Sequence, residues 1–440
     1  MKGTRPRLLI LSYHFPPDGA VGGYRWAGIS KYLARSGWVV DVVTAAPPAA
    51  LPPEDGITVH SVSRRRTLND AYSDWRRSSA SPVNRALASQ LAVSTAASSR
   101  VRSAIFNPVR KLAGSALAFP DHGRGWNVAA ASVARGLLRE RGFDAVVTTG
   151  PPHSTHLAGL ACTIGSRVAH VVDMRDPWIW QDNTRPTSTA LLTWMERCVV
   201  RNARCLVATT REFSEALRAR FPHKEVAWIP NGVDYERVRP AAMEKYPGLS
   251  IAYAGSVYVG RDFGVVLRAM HMLFEKYPAF RGQCTLRVAG SMDGPHAVRF
   301  RELIENLGLQ DSVIALGIVS TNEALDVISR SHLALVLAQN QALQIPAKLY
   351  ECVALGVRTL VITEPDGATA REAARLGAVV CSPNADASVA ALIEGVMLGR
   401  VPERAAHADT SYERIAARVG ELLLRLSAFL VWCEVLSEMT

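Results

Sequence analysis

Four short segments carry residue types that chemistry on a phosphorylated substrate would need. In Pro346-Ala-Lys-Leu-Tyr-Glu351, Lys348 and Glu351 are three apart, so on a helix they share a face. At a helix start the lysine can reach a phosphate while the glutamate accepts from sugar or ribose hydroxyls. Taken alone the same spacing fits a surface ion pair worth only about 0.2–0.5 kcal/mol. Its place after an apolar strand and before Leu355-Gly356 favours a site. Arg261 ends Gly255-Ser-Val-Tyr-Val-Gly-Arg261, where a guanidinium can neutralise a diphosphate through paired hydrogen bonds. Phe15-Pro-Pro-Asp-Gly-Ala-Val-Gly-Gly-Tyr-Arg25 places Gly22 and Gly23 just ahead of a helical pattern. Glycines let a ligand approach the backbone, and a helix starting near Tyr24 would aim free N–H groups at an anion, with Arg25 adding charge. No Gly-x-Gly-x-x-Gly fingerprint of dinucleotide sites is present.

The fourth segment is Asp173-Met-Arg-Asp-Pro-Trp178, at the end of an apolar run. Asp176 is the candidate to take a proton from an acceptor hydroxyl. Asp173 and Arg175 either line the acceptor side or pair with each other. His153 and His156 have metal-like spacing without further ligands nearby, and are read as polar contacts for the acceptor. No Asp-x-Asp occurs, so no metal is expected to clamp a diphosphate.

These residues need elements to hold them. Short apolar runs alternate with helical patterns along most of the chain, the signature of parallel α/β architecture. Strands are expected near 7–12, 38–44, 57–62, 144–149, 168–173, 205–209 and 226–229, then near 249–254, 284–289, 312–316, 333–337, 358–362 and 378–381. Helices are expected at 25–35, 263–277, 297–307, 347–355, 386–398 and 411–430. Both halves open with an apolar strand and a glycine-bearing turn, so the chain reads as two similar folds in tandem. Domains are expected at 1–235 and 246–410, with 411–440 as a terminal helix. The turn-rich Ile229-Pro-Asn-Gly-Val-Asp234 stands at the join. Residues 64–111 break the alternation with ten Lys/Arg against Asp70 and Asp74. They read as a basic helical insertion, either docking to an anionic membrane or simply solvated.

Composition sets the outer bounds. The 440 residues are 48% hydrophobic and 20% charged, enough to bury two cores. The formal charge of +11 favours acidic partners without choosing among them. Seven scattered cysteines, with no Cys-x-x-Cys, fit a reduced setting: the cytoplasm, or peripherally the inner face of its membrane. The apolar run Leu8–Leu11 is too short for a signal segment, and no stretch reaches the ~20 apolar residues of a spanning helix.

Together the motifs resemble glycosyltransferase family 4. The resemblance covers most of the chain outside 64–111, and Ile229-Pro-Asn-Gly-Val-Asp234 is its most specific element. It implies the α/β GT-B fold: two Rossmann-like domains facing across a cleft, with the last helix returning to the first domain. It implies a retaining, metal-independent transfer from a nucleotide diphosphate sugar to a glycan or lipid-linked hydroxyl, as in surface-polysaccharide or glycolipid synthesis, without a cofactor or nucleic acid. Catalytic roles would fall to Asp176, Arg261 and Lys348. Gly22, Gly23, Arg25, Gly255, Gly317 and Glu351 would join Arg261 and Lys348 around the donor. His153, His156, Asp173 and Arg175 would face the acceptor. Two positions depart from the family pattern. Leu343 stands where many relatives have a glutamate, and Asp176 where many have a histidine. A nucleotide-sugar epimerase of the same architecture and a non-catalytic membrane scaffold remain alternatives.

Overall fold

The computed structural model describes residues 5–18, 21–47, 55–65, 119–179, 186–239, 244–257, 260–292, 295–400 and 410–438. Of the basic insertion only Arg64 and Arg65 fall among them, so the membrane-docking expectation for 64–111 lies outside the described residues.

Two parallel sheets form the frame. The first contains β1 (Arg7–Ser12), β2 (Val39–Thr44), β3 (Ile57–Ser61), β4 (Ala145–Gly150), β5 (Ala169–Met174), β6 (Cys205–Ala208) and β7 (Glu225–Trp228). Their spatial order is β3-β2-β1-β4-β5-β6-β7. The second contains β8 (Leu249–Ala254), β9 (Cys284–Ala289), β10 (Val313–Gly317), β11 (Leu333–Leu337), β12 (Arg358–Ile362) and β13 (Val379–Cys381), ordered β10-β9-β8-β11-β12-β13. Central strands are near-continuous apolar runs because helices cover both faces. Leu8, Leu9, Ile10 and Leu11 are fully buried, and Ile10 pairs with Val42 on one side and Val147 on the other. Strand order reverses between β1 and β4, and again between β8 and β11. Such reversals open a crevice at the carboxyl ends of the strands, where ligands bind in open α/β sheets.

The first sheet carries α1 (Val21–Arg35), α2 (Arg124–Glu140), α3 (Thr155–Thr163), α4 (Pro186–Asn202) and α5 (Arg211–Arg220). The second carries α6 (Gly264–Lys276), α7 (Pro295–Asn306), α8 (Thr321–Ser329), α9 (Ala347–Ala354), α10 (Ala368–Arg375) and α11 (Asp386–Met397). The last helix, α12 (Tyr412–Glu438), returns to the first sheet. Its Tyr412, Ile415, Val419, Leu423 and Leu426 share one core with Leu8, Ile10, Trp26, Ile29 and Leu33. The close crossing explains Gly28, where a Cβ would lie 2.3 Å from the Tyr412 ring. Val233 fastens the return, its N–H donating to Thr410 O at 2.8 Å while its carbonyl accepts from Tyr412 N–H at 2.9 Å.

In the first half the sequence reading gave bounds for α1 alone, and in the second half two helices escaped it. α8 carries its own start signal, a capping box between Ser320 and Glu323, and α10 is a short alanine-rich helix. A third difference bears on the site. α1 begins at Val21, so Gly22 and Gly23 occupy its first turn rather than the loop before it. Among the described residues, no helix is long and apolar enough to cross a membrane.

Candidate active site

The first crevice lies over β1, β4 and β5. Arg175, just past β5, folds back on β4: its backbone N–H and its Nε both donate to Gly150 O at 3.1 Å, and Nη2 donates to Pro151 O. The guanidinium lies against Gly22, where a Cβ would stand 2.1 Å from Nη1. At Gly23 a Cβ would meet Phe15 backbone at 3.0 Å. The glycine pair thus lets α1 start directly beneath an arginine.

Arg25 and Asp173 were expected to reach the donor and the acceptor, and the structure corrects both. Their side chains are 3% and 0% exposed. Arg25 Nε and Nη2 bond Asp173 at 3.3 and 3.2 Å, and its nitrogens also donate to the carbonyls of Ile229 and Pro230 and to Asn231 Oδ1. Asp173 further accepts from Trp26 Nε1 at 2.7 Å and Thr149 Oγ1 at 2.8 Å. A buried charge pair persists only when its lone pairs and protons are satisfied this fully. The pair therefore clamps α1 and β5 to the start of the interdomain segment. The alternative pairing of Asp173 with Arg175 is replaced by this one.

The histidines are withdrawn from the surface as well. His156 is fully buried, with Nδ1 2.8 Å from Thr148 Oγ1, which also meets His170 Nε2 at 3.0 Å. His153 stacks on Trp178 with ring centroids 5.4 Å apart. Burial, and then the Arg175 charge, push the His153 pKa down to about 3. Burial also holds His156 well below the usual value and His170 at about 4. All three are neutral rings that shape the floor of the crevice. The expectation that His153 and His156 contact the acceptor as polar groups gives way to this packing role.

The second crevice differs. Arg261 follows β8 and reaches the end of the neighbouring β11, where Nη1 donates to Leu337 O. Lys348 stands in the first turn of α9, the helix that follows β11. Both cations therefore belong to the carboxyl edge of the β8–β11 reversal. Gly290 permits a tight turn at that edge, since a Cβ there would lie 2.0 Å from Gly255 O. Gly317, at φ 71°, ends β10 at the outer side of the sheet. Lys348 Nζ donates to Glu351 Oε2 at 2.7 Å, so the ion pair suggested by the spacing exists. It is no ordinary surface pair, because Glu351 Oε1 accepts from Arg237 Nη2, also at 2.7 Å. Burial alone would raise the Glu351 pKa, but the Lys348 and Arg237 charges outweigh it and hold it low.

The lobes meet around these residues. Tyr24, one turn into α1, brings its hydroxyl 3.1 Å from Thr321 Oγ1 and lies under the Arg237 guanidinium at 4.5 Å. Thr210 Oγ1 donates to Leu343 O at 2.8 Å, and the Leu343 side chain packs against the Val172, Met174 and Trp178 cluster. Beside it, Gln344 Nε2 donates to Asp176 Oδ1. Burial raises the Asp176 pKa, opposed by the Arg175 charge. Sequence reasoning missed Tyr24, Arg237 and Gln344, although Arg237 lies just beyond the Ile-Pro-Asn-Gly-Val-Asp string and Gln344 beside the departing Leu343. Among the described residues, no group of three or more His, Cys, Asp or Glu is placed to hold a metal ion.

Two facing doubly wound sheets, a cationic crevice on one and a glycine–arginine floor on the other, define a GT-B glycosyltransferase. Residues 22–232 match the family model described as a glycosyl transferase 4-like domain, and residues 251–414 match glycosyl transferases group 1. The chain belongs to the family 4 type of glycosyltransferases. Similar solved structures share the fold at low identity. Sucrose-phosphate synthase from Thermosynechococcus elongatus is 13% identical, with 99% of each chain covered and a TM-score of 0.62. WaaG, a glycosyltransferase involved in lipopolysaccharide biosynthesis, is 14% identical, with 96% of this chain and 97% of that one covered and a TM-score of 0.57. Anabaena HepE, solved in complex with UDP and glucose, is 12% identical, with 98% and 99% covered and a TM-score of 0.56. A search of curated protein sequences finds no relative of this chain.

Proposed function

We propose that the enzyme transfers a sugar from a nucleotide diphosphate sugar to a hydroxyl of a glycan or lipid-linked acceptor, with retention and without a metal. The observation that carries the donor side is the placement of Arg261 and Lys348 at one strand-order reversal, Arg261 bonded to the end of β11 and Lys348 in the first turn of the helix that follows it. As the bond from the anomeric carbon to the diphosphate breaks, the leaving oxygen takes the electron pair. Arg261 and Lys348 stabilise that charge where it develops. Glu351, held between Lys348 and Arg237, orients the lysine and offers its carboxylate to donor hydroxyls. The acceptor oxygen bonds the anomeric carbon on the face the diphosphate leaves. Its proton passes to Asp176, whose raised pKa suits a base that must hold a proton briefly. Gly22 and Gly23, whose missing side chains make room for Arg175 and the Phe15 backbone, bring the first turn of α1 and that arginine toward the phosphates, and backbone near Gly317 takes the base. HepE in complex with UDP and glucose is consistent with a uridine donor. Surface-polysaccharide or glycolipid assembly, at the cytoplasmic face of a membrane, is the setting this chemistry fits.

The test is a thermal-shift panel of UDP, GDP, ADP and dTDP and their sugars, on wild type and on Arg261→Ala and Lys348→Ala. A true donor at 100 times its Kd raises stability by about 2.7 kcal/mol. Each variant should lose most of that shift and at least ~100-fold in turnover with the donor so identified. Near-normal turnover in both would overturn the assignment. Release of an epimerised sugar nucleotide without an acceptor would replace transfer by epimerisation.

A further inference from the structure

One face of the first lobe has a composition that neither the crevices nor the core explains. α2, α3 and α4 pack side by side on the same face of the first sheet. The outward stripe of α4 runs through Leu191, Trp194, Arg197 and Arg201, which are all exposed. Trp194 is 61% and Leu191 44% exposed, one turn apart. The outward stripe of α2 repeats the order, with Val128 77% exposed and then Arg135 and Arg139 in solvent. At the arginine end of α4, Lys224 Nζ donates to the carbonyls of Arg201 and Ala203 at 2.7 and 3.0 Å, adding another cation. Acidic counterweights are few. Glu196, the one acid of α4, is buried and bonded to Arg220, and α2 exposes Glu140 alone.

A large indole and a leucine in water, followed along the same stripe by arginines, fit one kind of partner. Tryptophan lies best where its ring meets acyl chains and its N–H meets headgroups. Arginines near an anionic leaflet each strengthen binding by about fivefold. A second copy of the chain would set like charges against each other across a two-fold interface, which costs binding. A nucleic acid would leave Leu191 and Val128 without partners.

We propose that the outward face of α2 and α4, centred on Trp194 and Leu191 with Arg197 and Arg201, docks on an anionic lipid bilayer. α4 is the element that follows the Asp176 segment in the chain, so the docking face belongs to the same lobe as that segment. The inference requires no assignment of donor or reaction, and its failure would leave the transferase reading untouched.

The test is flotation of the full chain with vesicles of phosphatidylcholine alone and of phosphatidylcholine with phosphatidylglycerol, at low and high salt. The wild type should float with the anionic vesicles at low salt. Arg197→Glu with Arg201→Glu should weaken that partitioning by at least ~25-fold. Leu191→Ala with Trp194→Ala should weaken it on the order of tenfold. Trp194→Phe should retain most of it. All four positions are exposed, so thermal midpoints should stay at the wild-type value and separate lost docking from lost fold. Unchanged partitioning in both double variants would overturn the proposal. So would equal binding to neutral vesicles, or a change in oligomeric state rather than in flotation when Trp194 is removed.

Discussion

The two strand-order reversals use charge in opposite ways. At the β1–β4 reversal, Arg25 and Asp173 are 3% and 0% exposed and satisfy each other, and Arg175 spends three N–H groups on the carbonyls of Gly150 and Pro151. At the β8–β11 reversal, Lys348 remains 23% exposed, within reach of anything that enters the cleft. The first lobe uses most of its charged motif to brace a platform. The second keeps its cations at the edge where a diphosphate would lie. Equal motif density in a sequence therefore does not mean equal participation in chemistry.

The sharpest way to break this contrast is to remove Asp173. Asp173→Ala strands the Arg25 guanidinium in the core, a loss of about 3–5 kcal/mol, so calorimetry should show a large fall in thermal midpoint. Replacing both partners, Arg25→Met with Asp173→Leu, should cost clearly less than the sum of the two single changes, because no charge is left unpaired. An Asp173→Ala variant with an unchanged midpoint and abolished turnover would instead return Asp173 to the chemistry.

Acid probes the same asymmetry more gently. His153, His156 and His170 are neutral when folded, with pKa values held below the unfolded value of about 6.5. Groups depressed in this way contribute stability above the unfolded pKa and lose it as pH falls toward the folded values. Each should cost about 1 kcal/mol between pH ~6.5 and ~5.5, and about 1.4 kcal/mol per unit below that. Among the described residues, the buried histidines all lie in the first lobe. Hydrogen exchange at mildly acid pH should thus show β4 and β5 losing protection before β8 and β11. Simultaneous loss in both lobes would erase the distinction.

Much of this was readable in advance, and what was not has a common cause. Thirteen strands fall where apolar runs predict them, since strands covered on both faces read as near-continuous apolar runs. Gly22, Gly23, Arg261 and Lys348 stood out in the sequence because glycines and cations near strand ends draw the eye, yet both glycines also have a packing reason, making room for Arg175 and for the Phe15 backbone. The partners of Arg25 were not visible: Asp173 lies 148 positions away, and spacing reveals only neighbours on one element. Arg237 and Gln344 stayed hidden for the same reason, since each acquires meaning from a residue of another element, Glu351 for the one and Asp176 for the other. α10 was missed because its buried face is built from Ala368, Ala370 and Ala373, small residues that mark an apolar stripe only weakly.

The smallest expected effect concerns the contact that joins the two regions. Gln344 is fixed in the second lobe, its carbonyl accepting from Thr369 Oγ1 at 2.7 Å, while its amide donates to Asp176 in the first. The bond can form only with the lobes together, so it aims the carboxylate when the cleft is closed. Gln344→Ala should therefore lower kcat by roughly tenfold, about 1.5 kcal/mol, the low end for one hydrogen bond to a charged group, with the donor KM and the thermal midpoint unchanged. Gln344→Glu makes a sharper probe. A second carboxylate beside Asp176 disfavours ionisation of the pair, so the acid limb of the pH–rate profile should move upward. If Asp176 only braced the lobes, Gln344→Glu would lower activity evenly at every pH, and the division of labour between the two reversals would hold without a base in the first lobe.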